Sequence, residues 1–160
     1  MNLDLSKLKK SGTIELVFNF PGKERATRIN YQFDQRKQAP LSLNGFNTSD
    51  VIYLITPDRF SNGNPDNDVV FGMRESYVGT GEDDRHGGDL QGILDHLDYL
   101  RDLGVTTIWP SPLLENNMPK YSYHGYAITD YYKVDPRFGD NTSYRLLADE
   151  LRKRDMKLVF

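Results

Sequence analysis

Two stretches of this sequence hold side chains suited to chemistry. The first, Asp58-Arg59-Phe60-Ser61-Asn62-Gly63-Asn64-Pro65-Asp66-Asn67-Asp68, is dense in short oxygen-bearing side chains. A hard cation such as Ca²⁺ takes about six to eight oxygens from carboxylates, amides, backbone carbonyls and water. Asn and Asp carry such oxygens on short tethers, while Gly and Pro fix the tight turns that aim them inward. The spacing is not that of an EF-hand: counted from Asn62, the twelfth position is Met73 rather than Glu. On composition alone, a hydrophilic turn held by Asx hydrogen bonds is favoured over a cation site.

The second stretch is Tyr121-Ser122-Tyr123-His124-Gly125-Tyr126-Ala127-Ile128-Thr129-Asp130. Five of the ten tyrosines fall between Tyr121 and Tyr132, around His124. A sugar offers an apolar C–H face to aromatic rings and a rim of hydroxyls to imidazole and phenol groups. For Tyr121, Tyr123, Tyr131 and Tyr132 the plainer expectation is that the rings fill a core beneath the loop. His96 reads as a surface residue on the exposed side of a helix. His86 is within reach of the first loop, but nothing requires it there.

The elements that must position these loops follow from periodicity. Residues 13–20 put Ile14, Leu16, Phe18 and Phe20 on one face, and residues 26–33 repeat the alternation with Ile29, Tyr31 and Phe33. Period two means strands, here a hairpin from a small antiparallel β-domain. Residues 34–49 read as a linker. Val51 to Ile55 is a continuous apolar run, expected as a strand buried on both faces. Leu90, Ile93, Leu94, Leu97, Leu100 and Leu103 repeat at helical spacing, with Gly104 as the stop. Val105 to Trp109 is a second buried strand. Thr142 is a candidate N-cap for a helix carrying Tyr144, Leu146, Leu147 and Leu151. Lys157 to Phe160 opens a third strand. Strand, helix, strand, helix, strand is the rhythm of a parallel α/β sheet, whose functional loops follow the strands. Both chemistry-bearing stretches occupy such positions.

Composition narrows the classes. With 27% charged and 38% hydrophobic residues the chain has a globular balance, and its mean hydropathy is -0.64. No apolar run is long enough to span a bilayer. A net charge of -3 gives no reason to expect nucleic acid or an anionic membrane as partner. The absence of cysteine excludes disulfides and thiolate metal sites. No signal-peptide core follows Met1, which leaves the compartment open between extracytoplasmic and cytoplasmic.

Val51 to Asp68, with His86-Gly87-Gly88-Asp89-Leu90-Gln91-Gly92, resembles glycoside hydrolase family 13, the α-amylase family. The neopullulanase and cyclomaltodextrinase branch is the nearest match, with cyclodextrin glucanotransferases nearby. The resemblance implies a (β/α)8 TIM barrel, here its first three strands over residues 47–160, preceded over residues 1–46 by part of an antiparallel β-domain and a linker. It implies a calcium site with side-chain ligands Asn62, Asn64, Asn67, Asp68 and Asp89 and the carbonyl of Gly87. Relatives often carry Asp at the position of Asn62 and Asn at that of Asp68, a swap that keeps the carboxylate count. His124-Gly125-Tyr126 matches the family loop that borders the sugar at the cleavage point. There His124 would hydrogen-bond a hydroxyl and Tyr126 would stack on the ring. Asp130 and Asp135 continue the family pattern and read as structural.

The implied activity is retaining hydrolysis of α-1,4 glucosidic bonds in an α-glucan. The family's nucleophile, acid/base and third carboxylate follow its fourth, fifth and seventh strands, so the catalytic residues are expected beyond Phe160. Asp58, Glu115 and Asp130 match none of those positions. The expectation is an N-terminal fragment, inactive alone and poorly folded in isolation because its outer strands are open edges. The alternatives are a short non-catalytic protein that binds calcium or glucan, and a fragment of a family 13 glucanotransferase. Relatives of the branch often dimerise through their N-terminal domains, so a homodimer is among the parent's expected states.

Overall fold

The computed structural model describes residues 12–22, 25–33, 46–75 and 78–159. The chain divides into two compact units, Met1–Gly45 and Phe46–Phe160. In the first, β1 (Gly12–Phe18) and β2 (Thr27–Phe33) pair antiparallel, with Ile14 opposite Tyr31 and Leu16 opposite Ile29. Ile14, Leu16 and Phe18 are half-buried while Thr13, Glu15 and Val17 face out, as a period-two strand requires. Arg28 and Glu15 form an exposed cross-strand ion pair at 2.6 Å. Phe20 does not extend the half-buried face. It lies past the end of β1 and is exposed, because the chain is already turning at Pro21-Gly22. Residues 34–45 of the expected linker lie outside the described residues.

The second unit begins with β3 (Ile52–Ile55), followed by the single turn α1 (Pro57–Phe60). A long loop leads to α2 (Leu90–Asp95) and α3 (Leu97–Asp102), then to β4 (Thr107–Pro110). The second loop contains a short ribbon, β5 (Leu114–Glu115) against β6 (Asp130–Val134). Helix α4 (Asn141–Lys153) and β7 (Lys157–Leu158) complete the unit. The three main strands are parallel in the order β3-β4-β7, with Ile52 beside Thr107 and Thr107 beside Lys157. One hydrophobic core joins sheet to helices. Ile55 and Ile108 meet Leu90, Ile93, Leu97 and Leu100 from the first helical stretch and Leu147 and Leu151 from α4.

Further expectations change: Trp109 of the expected buried strand and Leu146 of the α4 stripe are exposed. The stretch from Leu90 to Leu103 is two helices with a break at His96, whose φ of -112° and ψ of 13° leave the helical region. The ring Nδ1 of His96 bonds the carbonyl of Gly92 at 2.7 Å, so this side chain turns back on the backbone at the break. Leu103 is exposed and leaves the stripe, since the chain has begun to turn toward Gly104 at φ +91°. Strand β3 is not buried on both faces: Ile52, Tyr53 and Leu54 are exposed, and Ile55 alone is in the core. Among the described residues it pairs only with β4.

The N-cap of α4 is Asp140, not Thr142. Its carboxylate accepts from the N–H groups of Thr142 and Ser143, while Ser143 Oγ accepts from the Asp140 N–H, a reciprocal capping box. These hydrogen bonds hold the Asp140 carboxyl below its ordinary pKa of 3.8, the Ser143 N–H first among them. Asp140→Ala should cost about 1 kcal/mol of stability at neutral pH, measured by urea unfolding. A depressed carboxyl contributes above its unfolded pKa and loses the contribution as pH falls through the folded value. The gap between variant and parent should therefore narrow below about pH 4.

Candidate functional site

Asp58, in the one-turn α1 after β3, is buried and organises the first loop. Its Oδ2 accepts from the His86 N–H at 2.9 Å and from Arg59 Nη1 at 3.0 Å. Its Oδ1 accepts from the Gly87 N–H at 3.3 Å and lies 3.6 Å from Arg85 Nη2. The loop ends therefore close on one carboxylate. The close approach needs glycine: a Cβ on Gly88 would sit 2.1 Å from the Pro57 carbonyl oxygen, and one on Gly92 1.9 Å from that of Ser61.

Asp89 caps α2 and gathers the oxygen-rich turn. Its Oδ1 accepts from the N–H groups of Gly92 and Gly63, and its Oδ2 from the Asn64 N–H and Asn67 Nδ2. Asn62 Nδ2 donates to Asp68 Oδ1 at 2.8 Å. Gly87, at φ +83°, lies directly against both: a Cβ there would be 2.5 Å from Asp68 Oδ1 and 2.6 Å from Asn62 Nδ2. Burial raises the pKa of the Asp68 carboxyl and the Asp89 charge adds to this, against the lowering effect of the Asn62 hydrogen bond.

Five of the six expected ligand residues thus form two adjoining groups, Asn62–Asp68–Gly87 and Asn67–Asp89. Asn64 differs: its side chain accepts from the Asp66 N–H and caps the 3-10 turn Pro65–Asn67. The residues fit a hard cation. Asn67 Oδ1 is buried without a hydrogen-bond partner, and a cation would relieve the repulsion between Asp68 and Asp89. Rotating an amide end for end also exchanges a donor for an acceptor at little cost. Among the described residues no three Asp, Glu, His or Cys side chains gather as a metal site. Amide and backbone oxygens would therefore have to complete any cation shell.

The second loop turns through Tyr121 at φ 60° and Gly125 at φ +81°. A Cβ on Gly125 would lie 1.9 Å from the Pro112 carbonyl oxygen. His124 Nδ1 accepts from the Tyr126 N–H at 2.9 Å, which puts the proton of the neutral ring on Nε2. The Tyr126 ring is 66% exposed, 5.7 Å from that of His124 and tilted 34° to it. Tyr121, Tyr131 and Tyr132 do not fill a core as expected: all three are exposed. Tyr131 and Tyr132 lie on β6 of a ribbon that is two-stranded among the described residues. Tyr123 is half-buried, with the Arg59 guanidinium 4.1 Å above its ring.

Beneath both loops lies a polar core that the sequence did not announce. Asp135 and Arg137 are fully buried and pair in a fork, Nε to Oδ1 at 2.9 Å and Nη2 to Oδ2 at 2.7 Å. Arg137 also donates to the carbonyls of Glu75 and Asn116, each at 2.8 Å. Burial alone would raise the Asp135 pKa; the Arg137 hydrogen bonds and charge, with the Asn116 N–H, outweigh it and lower it. Glu75 Oε2 accepts from the Ser122 N–H at 2.7 Å. Arg85, also buried, stacks 4.9 Å from the Phe138 ring centroid, and its pKa is pushed down by burial and then by the neighbouring Arg137 charge. The one available signal was Arg137 two residues after Asp135; nothing in the spacing marked Glu75 or Arg85.

The other candidates are engaged elsewhere. Asp130 Oδ1 accepts from the Tyr132 N–H, Glu115 pairs with Lys133 at 3.1 Å, and His86 Nε2 contacts the Gly81 carbonyl oxygen at 3.0 Å.

Three parallel strands alternate with helices, and the two long loops follow β3 and β4, the arrangement of an α/β barrel's strand-end loops. Residues 54–160 match the family model described as alpha amylase, catalytic domain. The chain belongs to the α-amylase family of glycoside hydrolases. It is 40% identical over 112 residues to neopullulanase 2 of Thermoactinomyces vulgaris, covering 68% of this chain and 18% of that protein. It is 41% identical over 118 residues to a cyclomaltodextrinase of Thermoanaerobacter pseudethanolicus, covering 71% and 19%. Its fold matches the α-amylase of Geobacillus thermoleovorans solved with acarbose, with a TM-score of 0.54 and 40% identity over 69% of this chain and 22% of that one. The chain thus spans about a fifth of the length of these relatives. Its three parallel strands are TIM-barrel strands. Among the described residues no helix is long and apolar enough to cross a membrane.

Removing one partner of the Asp135–Arg137 fork strands a buried charge. Arg137→Met should lower unfolding free energy by about 3–5 kcal/mol. Adding Asp135→Asn should restore part of the loss, and chemical denaturation of the two variants would show it.

Proposed function

We propose that this chain supplies the glucan-contacting and calcium-holding loops of an enzyme that hydrolyses α-1,4 glucosidic bonds with retention. The observation that carries this reading is the His124–Tyr126 pair. One ring is exposed and free to stack on a sugar face. The other has its orientation locked by a backbone N–H and its Nε2 proton available for a hydroxyl. The acarbose-bound relative supports an oligosaccharide ligand.

Retaining hydrolysis needs two carboxyl groups about 5–5.5 Å apart across the scissile bond. Among the described residues Asp58, Asp135 and Glu115 are each held in ion pairs, and Asp130 caps its own turn. None is available as a nucleophile or acid. We assign this chain binding rather than bond cleavage, and the chemistry to carboxylates in the remainder of the enzyme. The 160-residue chain should release no reducing sugar from maltodextrin. Measurable turnover by that chain alone would sink this division of labour.

Calcium would be held by Asp68, Asn62, Asn67, Asp89 and the Gly87 carbonyl. It would neutralise the acidic turn and pin the first loop against α2. In the full-length protein, calcium should raise the melting temperature, and Asp68→Asn should abolish that rise. The variant should melt no lower than the parent once chelator is present, because without a cation the partly buried Asp68 carboxylate lies in the field of the Asp89 charge. His124→Gln should weaken acarbose binding about tenfold in calorimetry, the scale of one lost polar contact.

A further inference from the structure

The geometry points to Arg59 as a positioning residue that sets the pose of the His124 imidazole through the Tyr123 ring, an inference that rests on the glucan reading of His124. Arg59 stands at the joint between the two loops. Its side chain is 24% exposed, and among the described residues its polar contacts are on the first-loop side. Nη1 donates to Asp58 Oδ2 at 3.0 Å and to the Asp84 carbonyl at 2.6 Å, and Nη2 donates to the Glu82 carbonyl at 2.6 Å. These bonds hold the guanidinium plane in place. The contact it makes with the second loop is with Tyr123, whose ring centroid lies 4.1 Å away. That distance is within cation–π range, and the partly desolvated setting strengthens it. The Tyr123 ring then meets His124 edge to face, with centroids 5.5 Å apart and an interplanar angle of 75°.

The sequence of contacts is therefore Asp58 to Arg59, Arg59 to Tyr123, and Tyr123 to His124. Tyr126 holds His124 from one side through its N–H, and Tyr123 packs on the ring as well. Remove the guanidinium and Tyr123 loses the charge that fixes its face, so the imidazole loses one of its two supports. Asp58 also accepts from the Gly87 N–H in the cation loop. The same carboxylate thus touches the cation loop and the arm that reaches the sugar loop.

A purely structural role for Arg59 would tie down the Glu82 and Asp84 carbonyls and leave the His124 ring alone. The test is made on the full-length protein, with the His124 imidazole ¹⁵N signals assigned by their loss in His124→Gln. Arg59→Met should shift those signals and weaken acarbose binding about tenfold, while the melting temperature stays within a few degrees of the parent. Arg59→Lys, which keeps the charge but not the flat face, should recover part of the affinity. Tyr123→Leu should reproduce the effect, and the double variant Arg59→Met with Tyr123→Leu should be no worse than either single one. Unchanged imidazole signals in Arg59→Met overturn the inference, as does additivity in the double variant. Should Arg59→Met fail to fold, Tyr123→Leu decides: unmoved His124 signals then overturn it. If His124→Gln leaves acarbose affinity intact, the glucan reading of His124 fails instead, while the imidazole signals still report whether Arg59 positions the ring.

Discussion

The buried Asp135–Arg137 pair fixes what lies above the sheet. A guanidinium taken out of water costs several kcal/mol, and it persists only where its protons meet acceptors. Here the fork to Asp135 takes two, and the carbonyls of Glu75 and Asn116 take two more. Those carbonyls lie 62 and 21 residues away in sequence, on different loops. Asp135 in turn accepts from the Asn116 N–H, so the backbone just after β5 is held by both members of the pair. Long loops normally lack such an anchor because backbone polar groups prefer water. This one charged pair lets irregular backbone be buried with its groups satisfied.

Arg85 shows the contrast. It is as buried as Arg137, yet its Nε and Nη2 make no hydrogen bond and its nearest carboxylate oxygen is 3.6 Å away. Its remaining contacts are a 3.4 Å bond to Ser122 Oγ and the Phe138 ring. Two guanidiniums in one low-dielectric space repel, and the better-paired one is the more secure. The polar core is therefore fully hydrogen-bonded around Arg137 and incompletely so around Arg85, on the side where the first loop meets Ser122.

Much of the framework was legible because it obeys periodicity. Ile14, Leu16 and Phe18 alternate, Leu90, Ile93, Leu97 and Leu100 recur at helical spacing, and Gly104 stops the helix at a positive φ that glycine alone adopts freely. The misses have physical causes. His96 breaks the helix through a side-chain bond to the Gly92 carbonyl, which no hydrophobic pattern encodes. Asp140 rather than Thr142 caps α4 because a carboxylate and the Ser143 hydroxyl act together. Burial of β3 was read from its own apolar run, whereas burial is a property of neighbours. In the loops, the residue types of Asn62, Asn67, Asp68, Asp89, His124 and Tyr126 could be read from the resemblance. Which oxygens face one another could not. Asn64 turning to its own 3-10 turn depends on a local N–H that composition does not reveal. The places of Glu75 and Arg85 in the polar core were not legible, since charged residues are ordinarily read as surface.

Exposure alone does not mark a binding ring. Tyr132 is 91% exposed and Tyr126 66%, yet their supports differ. Tyr132 rides on a two-stranded ribbon, and its N–H is taken by the adjacent Asp130 carboxylate. Tyr126 follows a glycine packed so tightly on the Pro112 carbonyl that no other residue fits, and its own N–H locks the neighbouring imidazole. A site that binds must hold its groups in place before the ligand arrives, because ordering them afterward costs affinity. By that criterion Tyr126 and His124, the proposed glucan contacts, are better held than Tyr131 and Tyr132. Tyr131 and Tyr132 are rings whose exposure follows from a thin ribbon, and whose packing would come from whatever layer lies against it.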